Sequence, residues 1–574
     1  NIKNLRIVSL YSVLNKRLRF YVFFLLFCLL ITSITELVGI ASIIPLLNTL
    51  NNDQYLSSGL IGQYTTLISS ALEIKRELLL FFSTIVLIII SYIARIFSNY
   101  FILFTAGEIG LYLHNKALSS FLSNSYANQQ GLLNKKLAYC LTQQINQVVS
   151  GFIYPLLNAI SSLLILFMLS GSLFLYSPKA SFSLIFLASF FYILVGIPFS
   201  GWLSKGAKIL NIKSNEHLII LSGLKSFLKQ LKLYSLEESI YKKLSHLQKN
   251  IRSYIVKKNF IGSYPRPLLE FCILIIFIVF VYFTALKDSD LGNLSGFVFI
   301  VIIMQKLFPV IQSIYVAWTN LVANSHSADD VLQVINSRDK EIRQKIYIDS
   351  DKLKFIELKN VYFSYSDFEN ELIFKALNLN IDLSDSYVIT APSGSGKSTL
   401  VDLILGLQKE SKGSIKYKGD DFEISSTDLD TGSFVSYVPQ ENFFFDGSLR
   451  EIIKYNYKNL NISDKRIFAS AEIALIDDLL ERLPNGLATI CSNNLSNFSG
   501  GQKQRLGICQ ALLNPNLKIL ILDETLSNID KKSSCKILEK IKHSFPEICV
   551  LLITHDLEIV PKYFKKINLL DLNK

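Results

Sequence analysis

Val388-Ile-Thr-Ala391-Pro392-Ser393-Gly394-Ser395-Gly396-Lys397-Ser398-Thr399, followed by Leu400-Val-Asp-Leu-Ile-Leu405, is the stretch on which the reading of this chain turns. β-prone residues run into a glycine-rich loop, and the loop runs into an apolar, helix-forming segment. In that context the loop N–H groups and the helix N-terminus face one point, where an anion is stabilised. Pro392 to Thr399 are therefore expected to cradle a polyphosphate. Lys397 would reach its β- and γ-phosphates, and the Ser398 hydroxyl would ligate Mg²⁺. Position 391 is usually glycine in such loops, and here it is alanine. Its methyl group is tolerable at negative φ. At positive φ it costs on the order of 1 kcal/mol, and phosphate binding weaker than in a glycine version is expected.

Other phosphate-chemistry segments lie around this loop. Ile519-Leu-Ile-Leu-Asp523-Glu524 reads as a buried strand ending in two carboxylates. Asp523 would hold Mg²⁺ through water, and Glu524 would orient or deprotonate an attacking water. Between the two lies Phe498-Ser499-Gly500-Gly501-Gln502, followed by Lys503-Gln-Arg505 and a helical run. With this segment the globular half resembles the ATP-binding cassette (ABC) family, whose signature reads LSGGQ. Phe498 replaces the leucine and keeps a hydrophobic wedge.

The resemblance implies ATP and Mg²⁺ as ligands and assigns further residues. Ser499 and Gly501 match positions that meet the γ-phosphate bound to another subunit, and Gly500 and Gln502 belong with them to the implied ATP site. Tyr365 matches the aromatic that stacks on adenine. Gln440, in Tyr437-Val-Pro-Gln440, matches the glutamine that senses Mg²⁺ and faces the membrane domain. Ser527-Asn-Ile-Asp530 matches the loop that crosses the dimer, and His555 matches the histidine on the γ-phosphate. A signature and a phosphate loop of this family close a site only between two domains. With one ATPase half per chain, the resemblance implies a homodimer with alternating access, the motion passing through Gln440 and cytoplasmic turns of the membrane half.

The chain of 574 residues is 50% hydrophobic and only 18% charged, with 40 phenylalanines. Six apolar stretches are long enough to cross a bilayer, which takes about 20 residues. They lie at 20–50, 78–104, 147–176, 181–200, 260–286 and 294–316. The expected fold is multi-domain: an all-α six-helix transmembrane domain followed by an α/β P-loop ATPase domain. Its divisions are an interfacial N-terminal helix at 1–19, the membrane domain at 20–330, a linker at 331–350 and the ATPase domain at 351–574. The segment 201–258 carries twelve Lys and Arg, whereas the connection between the third and fourth spans carries Lys179 alone. The positive side is cytoplasmic by the inside rule, which puts both termini there, in the bacterial inner membrane. Helical periodicity in 105–146 and 201–259 predicts cytoplasmic extensions of the spans. Each is expected to turn, near Asn128–Asn134 and near Gly223–Lys229.

The formal charge of +12 follows from such loops, and no basic-aromatic cluster suggests nucleic acid. Seven scattered cysteines without a CxxC, and six histidines without ligand spacing, suggest neither a disulfide framework nor a zinc site. Charged residues inside spans usually face the bundle interior or a wet cavity. Glu36, without a local partner, Arg95, and the same-face pair Arg266 and Glu270 are therefore candidates for the substrate path. The pair at 266 and 270 also reads as a structural ion pair, and Arg95 and Lys306 also read as snorkelling residues. Ser33-Ile-Thr-Glu36-Leu-Val-Gly39 and Pro265-Arg266-Pro-Leu-Leu-Glu270 resemble bacterial lipid-linked oligosaccharide flippases and polysaccharide or glycolipid exporters. The resemblance implies membrane lipid and an amphiphilic or lipid-linked substrate as partners. Export of a lipid, a drug or a peptide is the alternative. A nucleotide-gated channel or regulator with weak ATPase is the alternative from another class.

Overall fold

The computed structural model describes residues 2–43, 45–46, 76–126, 139–176, 178–271, 275, 278, 294–336, 345–365, 372–392, 394–457, 460–492 and 494–572. The chain divides into two compact units, with the division between residues 339 and 340, apart from 125–127, which group with the second.

The first unit is helical. α1 (Ile2–Val13) and α2 (Lys16–Ala41) are separated by Asn15, whose side chain caps α2 by accepting from Leu18 N at 2.9 Å. α3 (Arg76–Ser123), α4 (Tyr154–Tyr176), α5 (Pro178–Leu233), α6 (Glu237–Ser263), α7 (Leu294–Ala323) and α8 (Ser325–Asn336) follow. Among the described residues, three helices are long and apolar enough to cross a membrane: Lys16–Ala41, Glu77–Ser123 and Cys140–Ser172. α3, with 48 residues, is about 70 Å long, more than twice a hydrocarbon core of about 30 Å. Its C-terminal half therefore continues well past any span, as does the far end of α5.

Two sequence expectations change here. α5 runs unbroken through Gly223–Lys229, and the turn lies later, at 234–236. An isolated glycine inside a continuing apolar repeat does not stop a helix. Ser235 does, by taking φ +52° while Leu236 N donates back to Leu231 O at 3.0 Å. The other expected turn, Asn128–Asn134, lies outside the described residues. Downstream, α8 carries the helix to Asn336, six residues into the segment expected as a linker. Its buried Ala328, Val331, Leu332 and Ile335 share a core with Leu10, Leu18 and Leu113.

α4 is approached through two π-helical turns, Cys140–Gln144 and Val149–Ile153, separated by one α turn, Ile145–Val148. Gly151, in the second, lets Asn324 approach, and Asn324 Nδ2 donates to Gly151 O at 3.1 Å. A Cβ at 151 would lie 2.4 Å from that nitrogen.

The second unit contains two main sheets. β1 (Phe355–Phe363), β2 (Phe374–Asp382), β4 (Lys412–Lys418) and β5 (Glu423–Ser425) form an antiparallel sheet in the order β2-β1-β4-β5. β3 (Tyr387–Thr390), β6 (Val435–Val438), β9 (Ile519–Asp523), β10 (Cys549–Ile553) and β11 (Lys565–Asn568) form a parallel sheet in the order β11-β3-β10-β9-β6. β7 (Gly447–Ser448) and β8 (Ile490–Cys491) make a small separate ribbon. β9 and β10 are buried at every position, as continuous apolar runs covered on both faces should be. α9 (Lys397–Ile404) packs Leu400, Val401 and Leu403 into the core of the two sheets. α10 (Leu449–Lys454), α11 (Asp464–Ile473), α12 (Asp477–Arg482), α13 (Gly500–Ala511) and α14 (Lys531–Ser544) share a second core with Leu520, Leu522 and Val550.

Candidate functional site

In an open parallel sheet, ligands bind beyond the C-terminal ends of the strands. Here four such ends are neighbours, in the order β3-β10-β9-β6. The glycine-rich loop leaves β3, His555 follows β10, Asp523 and Glu524 end β9, and Gln440 follows β6. Segments far apart in sequence thus deliver their side chains to one edge.

The loop is shaped by two glycines, Gly394 at φ +82° and Gly396 at φ +92°. A Cβ on Gly396 would also lie 2.6 Å from Ile373 Cγ2, so no larger residue fits there. Gly396 caps α9, and Lys397 and Ser398 begin it. Ser395 folds back on the loop, its hydroxyl donating to Pro392 O at 2.7 Å. Ser393 lies outside the described residues. Ala391 is buried and is not among the residues with positive φ. The backbone penalty that would weaken phosphate binding therefore does not arise. Ala391→Gly is expected to leave ATP affinity unchanged and to cost about 0.5–1 kcal/mol of stability through added chain entropy. Nucleotide titration and thermal denaturation of the variant check both halves.

Lys397 is only 7% exposed and anchors a polar cluster. Its Nζ donates to Ala391 O at 3.0 Å, lies 2.6 Å from His555 Nε2 and 3.4 Å from Glu524 Oε1. His555 Nε2 is 3.3 Å from the same Glu524 oxygen. The other oxygen, Oε2, accepts from Gln440 Nε2 at 3.1 Å. Lys397, Gln440, Glu524 and His555 are thus brought together. Glu524 takes φ +49°, a left-handed conformation that costs a non-glycine residue on the order of 1–2 kcal/mol. Its N–H donates to Ile553 O at 3.0 Å, tying the residue to the adjacent strand.

The second cluster surrounds Asp523. Its Oδ2 accepts from Ser398 Oγ at 3.4 Å and from Tyr437 OH at 3.1 Å. A hydroxyl and a carboxylate in reach of one another, next to a phosphate cradle, form the hard oxygen set that suits Mg²⁺. Burial first, then the charge of Glu524, pushes the Asp523 carboxyl above its ordinary range. Thr399 Oγ1 lies 3.1 Å from the hydroxyl of Tyr365, whose exposed ring stands beside the loop.

Tyr437 and Asp402 were not singled out by motif. Tyr437 sits in the Gln440 segment, but no local pattern reveals that its hydroxyl crosses to β9. Asp402 lies on α9, where burial, followed by the charge of Asp523, pushes its carboxyl up to about 6. A carboxyl raised above its ordinary value opposes folding once it ionises. Its penalty is absent below about pH 4 and grows as pH rises through about 6. Asp402→Asn is therefore expected to stabilise the protein above about pH 7, by about 1 kcal/mol after allowing for partial exposure. The gain should vanish at pH 4. Thermal denaturation across pH, without nucleotide and with metal chelated, reads this out.

The signature residues lie elsewhere on the same unit. Ser499 caps α13 in a reciprocal box: its Oγ accepts from Gln502 N at 3.2 Å, and Gln502 Oε1 accepts from Ser499 N at 2.8 Å. Phe498 packs against the helical core. Gly501 permits close passage of the next loop, since a Cβ there would lie 2.7 Å from Asn528 O. Asp530 caps α14, accepting from Ser533 N at 2.9 Å. Ser499, Gly500, Gly501, Arg505 and Asp530 line an open cavity of about 450 Å³. None of the Lys397 cluster lines it. Buried Gln504, also unmarked by sequence, ties the segments together: it accepts from Asn528 N at 3.2 Å and donates to Gln440 O at 3.4 Å.

In the helical unit, Glu36 has a partner after all. Arg95 Nη1 on α3 lies 3.0 Å from Glu36 Oε1, while the buried Oε2 makes no hydrogen bond. Arg95 lines two cavities. One of about 150 Å³ includes Glu36, Tyr92 and Lys306, whose Nζ donates to Tyr92 OH at 3.1 Å. The other, of about 370 Å³, is lined by Thr32, Asn99, Asn158 and Ser162 among others. Arg266 and Glu270 pair at 2.8 Å on an exposed face and line neither.

Comparison with known proteins follows this geometry. Residues 374–527 match the ABC transporter family. ABC transporter B family member 29, chloroplastic, of Arabidopsis thaliana is 31% identical over 278 residues, covering 48% of this chain and 43% of that protein. The chain thus spans less than half of that relative. A Rickettsia typhi protein whose name describes an export ATP-binding/permease chain is 25% identical over 483 residues, covering 82% and 81%. The solved structure of a bacterial Atm1-family ABC exporter with ATP bound superposes with a TM-score of 0.74. It is 16% identical and covers 95% of this chain and 92% of that one. The glycine-rich loop, the carboxylates of β9 and the signature helix thus lie in a domain of the ABC transporter kind, on a chain with the fold of an ABC exporter.

Proposed function

We propose that this chain is one half of a homodimer that uses ATP hydrolysis to export or flip an amphiphilic substrate across the bacterial inner membrane. The observation that carries the reading is the separation of two half-sites on one ATPase unit. Lys397, Gln440, Glu524 and His555 converge at the strand ends. Ser499, Gly500 and Gly501 line a different cavity. Neither set alone encloses a nucleotide, and head-to-tail pairing of two copies completes two identical sites.

In each site Tyr365 stacks on adenine, and the loop from Pro392 to Thr399 holds the phosphates with Lys397. Ser398 and Asp523 hold Mg²⁺, which, when bound, neutralises charge on the β- and γ-phosphates. Glu524 accepts the proton of the attacking water as its oxygen bonds to the γ-phosphorus and the bond to ADP breaks. Gln440 steadies the carboxylate of Glu524, and His555 contacts the γ-phosphate. Gln502 keeps the Ser499 hydroxyl aimed, and Asp530 fixes the crossing loop.

For the cargo, a lipid-linked oligosaccharide, polysaccharide or glycolipid is the reading that Glu36 and Arg95, which line one cavity, support best. Charged groups kept inside an apolar bundle suit a substrate with a polar head and an apolar tail. ATP turnover of the chain in liposomes, challenged with lipid-linked glycans, simple lipids and peptides, tests this. Stimulation by the glycan-bearing lipids is expected. Stimulation by peptides alone overturns the cargo, and absence of any turnover overturns the ATPase reading.

A further inference from the structure

Just past the fourth apolar stretch, which ends near residue 200, α5 and α6 enclose a cavity of about 250 Å³. Its lining includes Trp202, Lys205, Gly206 and Lys213 from α5, and Asn250 and Tyr254 from α6. Trp202 and Tyr254 stack with centroids 5.1 Å apart. Tyr254 OH donates to Leu203 O at 2.8 Å, fixing the ring across the helix pair. Gly206 makes this possible, because a Cβ there would lie 2.1 Å from the Tyr254 ring. Lys205 and Lys213 lie two turns apart on one face of α5, and among the described residues neither has a carboxylate partner. Two cations and an amide therefore share a recess walled by two aromatic rings.

We propose that this recess binds the anionic headgroup of a phospholipid from the cytoplasmic leaflet, distinct from the transported cargo. Stacked Trp and Tyr favour the boundary between hydrocarbon and headgroups. Unpaired lysines just beyond that boundary attract anionic lipid, and basic pockets between helices on this side take phosphate-bearing heads. The phosphodiester accepts from Lys205, Lys213 and Asn250, and the glycerol end of the chains lies against Trp202 and Tyr254. The inference rests on the proposed topology, in which residues 201–258 are cytoplasmic.

The chain has two tryptophans, so Trp318→Phe leaves Trp202 as the reporter. That variant, full length and in phosphatidylcholine nanodiscs, receives brominated phosphatidylglycerol or brominated phosphatidylcholine at equal mole fraction. Brominated phosphatidylglycerol is expected to quench Trp202 at lower mole fraction, by roughly fivefold per lysine. Lys205→Gln/Lys213→Gln should remove the difference while retaining ATP turnover, which shows that it folds. Equal quenching by both lipids overturns the site, as does a preference that survives the double substitution. If inorganic phosphate in plain phosphatidylcholine discs shifts Trp202 emission as the anionic lipid does, the ligand is soluble phosphate and the lipid assignment falls. If neither brominated lipid quenches, residue 202 lies away from the bilayer, and the topology fails rather than the choice of lipid.

Discussion

Glu524→Gln is expected to lower ATP turnover by about 10²–10⁴-fold while ATP still binds. The substitution removes the proton acceptor and keeps the shape. Gln440 Nε2, 3.1 Å from Glu524 Oε2, can still donate to the amide oxygen of the new side chain. Lys397 loses its ion pair with Glu524 Oε1 but keeps Ala391 O and His555, so the glycine-rich loop retains its cation. Two such chains should therefore hold ATP between them and accumulate as a nucleotide-bound dimer. Phosphate release and nucleotide retention, measured on the same sample, check the two halves of this outcome. Turnover near the wild-type rate would remove Glu524 from the role of base.

Lys397→Ala should fail differently, losing binding and turnover together. The ammonium is almost fully enclosed, and its position is set from three sides, by Ala391 O, His555 and Glu524. In the proposed site such an enclosed cation would lose little to solvent and need no reorganisation when charge develops. Its deletion is expected to lower kcat/KM by about 10²–10³-fold and to weaken ATP binding measured without turnover. Unaltered ATP affinity would contradict the role of Lys397 in the cradle. Comparing the two variants separates a group that binds the phosphates from one that acts on water.

The contrast between these residues and others shows what sequence carries. The loop and the β9 carboxylates were readable because each ends an apolar run, in glycines or in acids, and the signature because Phe498–Gln502 resembles LSGGQ. Strand order brought them together, and strand order is not local. Tyr437 and Asp523 meet only because β6 lies beside β9. Glu36 looked isolated because its partner, Arg95, is 59 residues away on α3. The turn after α5 lies at 234–236 and not at Gly223–Lys229 because Ser235 takes a left-handed φ that has no strong sequence signal. The π turns before α4 were invisible for a related reason. An extra residue per turn leaves the composition of an apolar helix unchanged. The Ala391 expectation depended on the sign of one dihedral, which composition cannot supply.

The edge of the parallel sheet has one more consequence, which concerns tolerance to error. Adjacent strands sit about 4.8 Å apart, so the reactive groups are spaced by a hydrogen-bonded ruler rather than by flexible loops. A one-residue slip of β9 against β10, now aligned from Cys549 opposite Ile519 to Ile553 opposite Asp523, would displace its carboxylates by about 3.3 Å and turn them to the other face. It would also mispack side chains that are buried on both faces of the strand, so the slipped form would be unstable as well as inert. Damage to these strands should therefore abolish the protein outright and seldom yield a stable molecule with altered chemistry. Variation that preserves folding is steered to the loops and to the helical unit.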